Sequence, residues 1–204
     1  MKKNNKIQYL LAHGAGAPCY SPWMNQLASE IEVQSNNEIK VVRFNFPYMQ
    51  RRLLENKKFP PDRMPKLLEE WLKQISLLGP STKLFIGGKS MGGRASTLLN
   101  FSDLPKKVNG IINFGFPFHA PGKDPGDRIK HLENLEVPCL INQGERDPMG
   151  TFDEIKTYKL SKKIKLNYLP DGNHDLKPRV RSGINLEQNI CSAVKETIKF
   201  IDKN

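Results

Sequence analysis

The stretch Ile86-Gly87-Gly88-Lys89-Ser90-Met91-Gly92-Gly93 decides the fold. It holds the pattern Gly-x-Ser-x-Gly centred on Ser90, directly after an apolar run and directly before a helical pattern. A strand, a sharp turn and a helix in that order form the context that separates a nucleophilic serine from a chance match. Glycines two residues to either side let the two backbones pass closely, because no Cβ stands between them. We predict that Ser90 stands on an exposed turn with its Oγ free to attack; the alternative is a glycine-rich turn with an incidental serine.

Apolar runs alternate with helical patterns along the rest of the chain. The runs are short and almost continuously apolar, which is typical of strands covered on both faces. Strand followed by helix, repeated, predicts an α/β fold with a mainly parallel central sheet flanked by helices, as a single domain over residues 1–204. We expect a polar loop over Arg51–Pro61. The predicted strands are Ile7–Ala12, Ile39–Phe46, Lys83–Gly87, Val108–Phe114, Pro138–Asn142 and Lys165–Leu169, and the predicted helices are Trp23–Ile31, Arg63–Leu78, Met91–Asn100, Phe152–Leu160 and Asn185–Ile201.

Composition narrows the class of protein. Hydrophobic residues make up 38% of the 204 residues and charged residues 26%, as in soluble globular chains. No apolar run approaches the roughly 18 residues that a membrane span requires. The basic start, residues 1–6, is not followed by a signal-peptide pattern, so we expect a cytoplasmic protein. Three scattered cysteines argue against a disulfide framework or a zinc site, and we expect free thiols and no metal.

The net charge of +11 raises the question of an acidic partner. Nucleic acid and an anionic membrane surface are the usual partners of a strongly basic chain. Here the lysines are spread over the whole sequence, and no arginine-rich helix or interleaving of basic and aromatic residues occurs. We therefore expect a small-molecule partner and no nucleic acid, and an anionic substrate remains one explanation of the charge.

A second glycine-rich segment, His13-Gly14-Ala15-Gly16, follows the first predicted strand. A loop at this position supplies one backbone N–H to an oxyanion hole, and the residue after the nucleophile supplies the other. We predict that these donors are Ala15 and Met91. His13 itself is expected to brace the loop rather than to carry a proton.

The predicted nucleophile needs a base and an acid that orients it. His174 follows the last predicted strand, and Asp147 follows the strand before it, which gives the chain order serine, acid, histidine. Glu145 is an alternative acid, and Asp147 could instead cap the following helix. His119 and His131 lack an acid candidate at a strand end between them and the serine, and His131 is expected to be structural.

Together these motifs resemble a known family over nearly the whole chain. Its most specific segments are Gly87–Arg94 and Phe116–His119 with Pro121–Lys123. The chain is similar to the small α/β-hydrolase-like family that includes testis-expressed protein 30 and many uncharacterised bacterial hydrolases, with dienelactone hydrolases as more distant relatives. The resemblance implies an α/β-hydrolase fold with a minimal cap or none, and a triad of Ser90, Asp147 and His174 that needs no cofactor.

The expected activity is that of a serine hydrolase acting on an ester, thioester or related acyl bond through an acyl-enzyme. A non-catalytic interaction subunit is the alternative, since some eukaryotic relatives serve as complex subunits. His119 and Lys123 are candidates for binding a substrate carboxylate or phosphate, or else hold a loop, and Tyr48 is a further binding candidate. The segments Met49–Pro61 and Phe118–Arg128 are expected to border the pocket. Acyl chain length and oligomeric state are left open.

Overall fold

A computed structural model describes residues 7–204, and the basic start of the chain lies outside the described residues. Its centre is a six-stranded sheet in the order β2-β1-β3-β4-β5-β6. Every neighbouring pair of strands is parallel. The sequence-based prediction of a parallel α/β sheet is therefore confirmed. The strands are β1 (Ile7–Ala12), β2 (Ile39–Phe44), β3 (Lys83–Lys89), β4 (Gly110–Phe114), β5 (Cys139–Gly144) and β6 (Ile164–Leu169).

Helices cover both faces of this sheet. Two of them, α1 and α7, pack against each other and bury their apolar sides on one face, while α3 and α4 pack on the other face. The α-helices are α1 (Pro22–Gln34), α2 (Pro47–Glu55), α3 (Met64–Leu77), α4 (Met91–Ser96), α5 (Lys130–Glu133), α6 (Phe152–Ile155) and α7 (Leu186–Lys203).

The alternation of side chains along β1 shows how the two cores form. Tyr9 and Leu11 enter the core beneath α1 and α7, and Leu10 and Ala12 enter the core on the opposite face. All four side chains are fully buried. Burial of a large apolar side chain contributes roughly 1.5–3 kcal/mol. Continuous apolar strands are thus explained by coverage on both faces rather than on one.

The polar loop expected over Arg51–Pro61 is partly wrong, because α2 extends to Glu55. Pro47 occupies the first turn of this helix, where its fixed φ is already helical and no hydrogen bond is lost. Two apolar residues after it are buried, and the helix ends at Asn56 in the left-handed conformation. Arg51 and Arg52, which suggested a loop, lie partly buried on a short helix instead.

Helix α4 is shorter than predicted and ends at Ser96. The hydroxyls of Ser96 and Thr97 donate to the carbonyl oxygens of Gly93 and Arg94, at 2.7 and 2.8 Å. Such local side-chain bonds compete with the continuation of a helix. Helix α6 likewise ends at Ile155, five residues before the predicted Leu160.

Two further expectations concern the whole chain. Cys19 and Cys139 are buried, Cys191 is partly buried, and all three are free, as predicted. Within residues 7–204, no helix combines the length and the apolar character needed to cross a membrane.

The topology creates a crevice at one end of the sheet. From β1 the chain crosses to β2 on one side, whereas from β3 it crosses to β4 on the other. The loops after β1 and β3 therefore diverge at the carboxyl edge, and ligands of open α/β sheets bind at this kind of reversal point. Both glycine-rich motifs of the sequence end at this crevice.

Candidate active site

The turn between β3 and α4 holds Ser90 in a strained backbone conformation. Its φ and ψ are 50° and −116°, which a non-glycine residue adopts only where its surroundings enforce it. The Ser90 N–H donates to the Phe114 carbonyl on the neighbouring strand at 3.0 Å, and α4 begins at the next residue. The predicted strand, sharp turn and helix are all present.

Gly92 shows why the turn requires glycine on its helix side. A Cβ built at Gly92 would lie 2.5 Å from the carbonyl oxygen of His13. Real Cβ atoms essentially never come within 3.0 Å of another heavy atom, so any side chain would push α4 away from the loop after β1. The glycine thus lets the two loops that meet at the crevice come into contact.

Three predicted residues form one hydrogen-bonded row. His174 Nε2 lies 2.8 Å from Ser90 Oγ, and His174 Nδ1 lies 2.8 Å from Asp147 Oδ2. The carboxylate accepts the Nδ1 proton, which leaves the Nε2 lone pair facing the serine hydroxyl. Asp147 is fully buried, while the His174 side chain is 25% exposed. The geometry is that of a serine activated by an oriented imidazole.

The structure also separates the two acid candidates. Glu145 accepts a hydrogen bond from the Asp171 N–H at 2.8 Å and has no contact with the imidazole. Asp147 does not cap the next helix, because Thr151 and Glu154 form the capping box of α6. The Asp147 Oδ1 instead accepts from the Met149 N–H at 2.9 Å, which fixes the carboxylate plane.

Gln143, at the end of β5, is a site residue that the sequence analysis missed. Its side chain is fully buried, and its Nε2 donates to Asp147 Oδ2 at 2.9 Å. The same amide group is anchored to the backbone of Phe116 and Gly150. The amide therefore holds the carboxylate that holds the imidazole. A glutamine following Asn142 at the end of an apolar run was the available signal.

The loop after β1 lies against the nucleophile. A Cβ built at Gly14 would be 3.5 Å from the Ser90 Cβ. Within residues 7–204, the backbone N–H groups of Ala15 and Met91 donate no hydrogen bond to another protein group. These are the two donors predicted for an oxyanion hole, and they are free to bind a ligand oxygen.

Tyr48 braces this loop from behind. Its hydroxyl donates to the Gly14 and Ala15 carbonyl oxygens, at 3.3 and 3.1 Å, and Arg52 Nη1 donates to the Ala15 oxygen at 3.2 Å. Tyr48 is fully buried, and burial raises its pKa to about 12, so the hydroxyl stays a donor. Tyr48 does not line the cavity beside Ser90, and its hydroxyl is bonded to the loop, so the structure gives it a supporting place rather than the binding place expected from the sequence.

His13 is the second brace. Its Nδ1 donates to the Gly14 carbonyl at 2.6 Å, and its Nε2 accepts from the Phe46 N–H at 3.0 Å. The bond that Nε2 accepts requires a neutral ring. Burial lowers the pKa of His13 from 6.5 to about 4. The residue serves the loop, as the sequence analysis expected, and takes no part in the hydrogen-bonded row.

We expect the neutral state of His13 to make stability fall in weak acid. The unfolded chain binds a proton at His13 below pH 6.5, whereas the folded chain resists it down to about pH 4. Its contribution is complete above pH 6.5 and is lost as the pH falls towards 4, by about 2 kcal/mol between pH 7 and 5. Urea unfolding at the two pH values measures it, and His13→Gln should flatten the pH dependence by this amount. An identical pH dependence in that variant would contradict the assignment.

A cavity of about 440 Å³ opens beside Ser90. Its wall is mainly the loop 14–17, Trp23, Met24 and Met149, with Lys89 and Asp175 at its polar side. No residue of Met49–Pro61 or Phe118–Arg128 is part of this wall. The expectation that these two segments border the pocket is therefore wrong for the cavity at the nucleophile.

The remaining binding candidates also lie away from this cavity. His119 is buried, with Nδ1 bonded to the Ala120 carbonyl at 2.9 Å and Nε2 lying 3.4 Å from a Glu154 carboxylate oxygen. Lys123 is exposed on the loop that follows, and neither residue lines the cavity. His131 Nε2 is bonded to the Thr97 hydroxyl at 2.9 Å, in keeping with a structural role.

No cluster of three or more histidine, cysteine, aspartate or glutamate side chains in the described part of the chain is arranged to hold a metal ion. The polar groups at the crevice include the hydrogen-bonded row and the two free backbone donors. Such a set can move a proton and stabilise an oxyanion by itself.

The sheet order and the turn after β3 define an α/β-hydrolase fold. The chain belongs to the alpha/beta hydrolase domain family, whose model matches residues 5–202. A comparison with curated protein sequences found no match. The narrower likeness to the group with testis-expressed protein 30 stays a prediction.

Solved structures share the fold at low sequence identity. Est1E from Butyrivibrio proteoclasticus, determined with ferulic acid bound, has a TM-score of 0.70 at 14% identity, covering 98% of this chain and 92% of its own. Dienelactone hydrolase from Anabaena variabilis has a TM-score of 0.66 at 18% identity, over 97% and 88%. An alpha-beta serine hydrolase homologue from Coxiella burnetii has a TM-score of 0.67 at 18% identity, over 94% and 85%.

Proposed function

We propose that the protein is a serine hydrolase that cleaves an ester, thioester or related acyl bond through an acyl-enzyme on Ser90. The observation that carries this proposal is the unbroken row from Ser90 through His174 to Asp147, at 2.8 Å for each link. The row ends at a cavity large enough for a small acyl group. The reaction uses side chains and backbone donors alone.

In the first half of the reaction, Ser90 Oγ attacks the substrate carbonyl carbon while its proton passes to His174 Nε2. The carbonyl oxygen becomes an oxyanion and binds the N–H groups of Ala15 and Met91. Asp147 stays ionised and stabilises the imidazolium. The tetrahedral intermediate then collapses, and the leaving alcohol or thiol takes the proton from Nε2.

In the second half, water replaces the leaving group. His174 Nε2 removes a proton from water, and the water oxygen attacks the acyl carbon. The new oxyanion binds the same two N–H groups. Collapse of this intermediate breaks the bond to Ser90 Oγ, which recovers its proton from the imidazolium. The acid product leaves and the starting state is restored.

The alternative is an interaction subunit that has kept only the fold. Such a subunit has no use for a strained serine bonded to an oriented imidazole, or for two free donors beside it. The name dienelactone hydrolase describes that neighbour, and at 14–18% identity the solved structures support the fold alone. The hydrogen-bonded row favours catalysis.

Labelling with a fluorophosphonate probe tests the proposal, because only an activated serine reacts with it. We expect the native protein at pH 7.5 to be labelled once per chain, with the adduct mapped to the peptide that contains Ser90. As the labelled fraction of the protein rises, its rate of p-nitrophenyl acetate hydrolysis should fall in proportion. Heat-denatured protein is the control. A native protein that is neither labelled nor active would favour the interaction subunit.

A further inference from the structure

Lys89, the last residue of β3, places an ammonium group in the wall of the cavity. Its side chain is 10% exposed. The Nζ atom donates to the His174 carbonyl at 2.7 Å, lies 3.0 Å from Asp175 Oδ1, and stands 5.5 Å from the centre of the Trp23 ring. Burial lowers the pKa of Lys89, and the Asp175 carboxylate opposes that shift. The ammonium is therefore held beside the nucleophile by a specific partner.

Asp175 is fixed in place as the partner. Trp23 Nε1 donates to the Asp175 carbonyl at 3.0 Å, and the Asp175 N–H donates to Asn173 Oδ1 at 2.9 Å. Burial acts to raise the pKa of Asp175, but the Lys89 ammonium outweighs it, and the pKa lies below its usual value. The carboxylate is thus charged at neutral pH while its side chain remains 64% exposed at the cavity mouth.

These two groups cancel each other's charge at the site. Of the described residues that line the cavity, Lys89 is the one cation and Asp175 the one carboxylate, beside an imidazole that acts as a base when neutral. The rest of the wall is largely apolar. The net charge of +11 that suggested an anionic substrate is therefore not expressed beside Ser90.

We propose that Asp175 determines the charge of the substrate: by neutralising Lys89 it makes the cavity select acyl groups that are neutral and apolar, and reject those that carry a carboxylate. An incoming anion meets an ammonium that is already paired, and the exposed carboxylate repels it at the entrance. A neutral chain instead packs against Trp23, Met24 and Met149 within about 440 Å³. This inference rests on the proposed hydrolase function and assigns its substrate class.

The test compares two esters of similar length, p-nitrophenyl butyrate and the p-nitrophenyl monoester of succinic acid, which ends in a carboxylate. The wild type should prefer the neutral ester. Asp175→Asn frees the ammonium, so the ratio of kcat/KM for the anionic ester to that for the neutral ester should rise by about tenfold or more, and added salt should reduce the gain. Lys89→Met should lower the ratio, and the double variant should return it towards the wild-type value.

Because the readout is a ratio of two kcat/KM values, a loss of activity that affects both esters equally cancels. Displacement of His174 would be such a loss. Glu196→Gln is the matched control, because it deletes one negative charge from the pair with Lys165, neither member of which lines the cavity, and should leave the ratio unchanged. An unchanged ratio in Asp175→Asn, or a wild type that prefers the anionic ester, would overturn the inference and leave the hydrolase function intact. A wild type that hydrolyses neither ester would count against the proposed function, and the inference would fall with it.

Discussion

Ser90→Ala is expected to lower kcat for p-nitrophenyl acetate by about 10⁴–10⁶-fold without destabilising the fold. Loss of the nucleophile removes the acyl-enzyme route altogether, and what remains is binding and oxyanion stabilisation acting on direct attack by water. The Oγ contributes one hydrogen bond, to His174 at 2.8 Å, and the strained backbone of the turn is retained. Steady-state kinetics and a thermal melt on the same sample measure both parts of this expectation.

Ser76→Ala provides the matched comparison. Ser76 is an exposed serine on α3, and its hydroxyl bonds to the carbonyl of Lys73 in the same helix. Turnover by this variant should equal that of the wild type. If Ser90→Ala kept more than about one tenth of the activity, the nucleophile would have to be sought elsewhere, since no loss of an acyl-enzyme is that small.

Gly87→Ala is expected to destabilise the fold severely. A Cβ at this position would lie 1.9 Å from the Ile112 carbonyl oxygen, in the middle of the pairing between β3 and β4. Its φ of 152° adds strain that an alanine rarely accepts. The neighbour is backbone of a central strand, so relief requires parting the sheet. We expect a loss above about 4 kcal/mol, which is a large share of the 5–15 kcal/mol that stabilises a typical domain.

Urea unfolding followed by circular dichroism measures this loss, and failure to obtain folded protein is its extreme form. Gly79→Ala is the matched control, because a Cβ there meets nothing within 4 Å and the backbone is not in the left-handed region. Its stability should stay within about 0.5 kcal/mol of the wild type. A Gly87→Ala protein as stable as Gly79→Ala would mean that β3 and β4 are spaced differently from the structure described above.

The features that could be predicted from the sequence were those that depend on residues adjacent in the chain. The turn at Ser90 was readable because the strand, the glycines and the helix follow one another without a gap. The strands were readable because coverage on both faces demands continuous apolar runs. Asp147 and His174 could be predicted because each follows a strand, and the carboxyl ends of parallel strands lie at one edge of the sheet.

The parts that sequence reasoning missed depend on contacts between distant segments. Gln143 matters because its amide donates to Asp147 and to the loop after β4. The residues next to Gln143 in the sequence do not indicate these contacts. Tyr48 was expected to bind substrate, yet in the fold its hydroxyl donates to the carbonyl oxygens of Gly14 and Ala15 in the loop after β1. The pairing of Lys89 with Asp175 could not be predicted for the same reason, because the two residues are far apart in the sequence and meet only in the folded chain.

The row from Ser90 to Asp147 has a consequence for how the molecule can be monitored. Its three members come from the loops after β3, β5 and β6, which are held in register only by the intact pairing of four strands. No partial assembly of the sheet brings them within reach of one another. Reactivity of a single hydroxyl is therefore a readout of the cooperative native state, and it should be lost together with the pairing of the four strands.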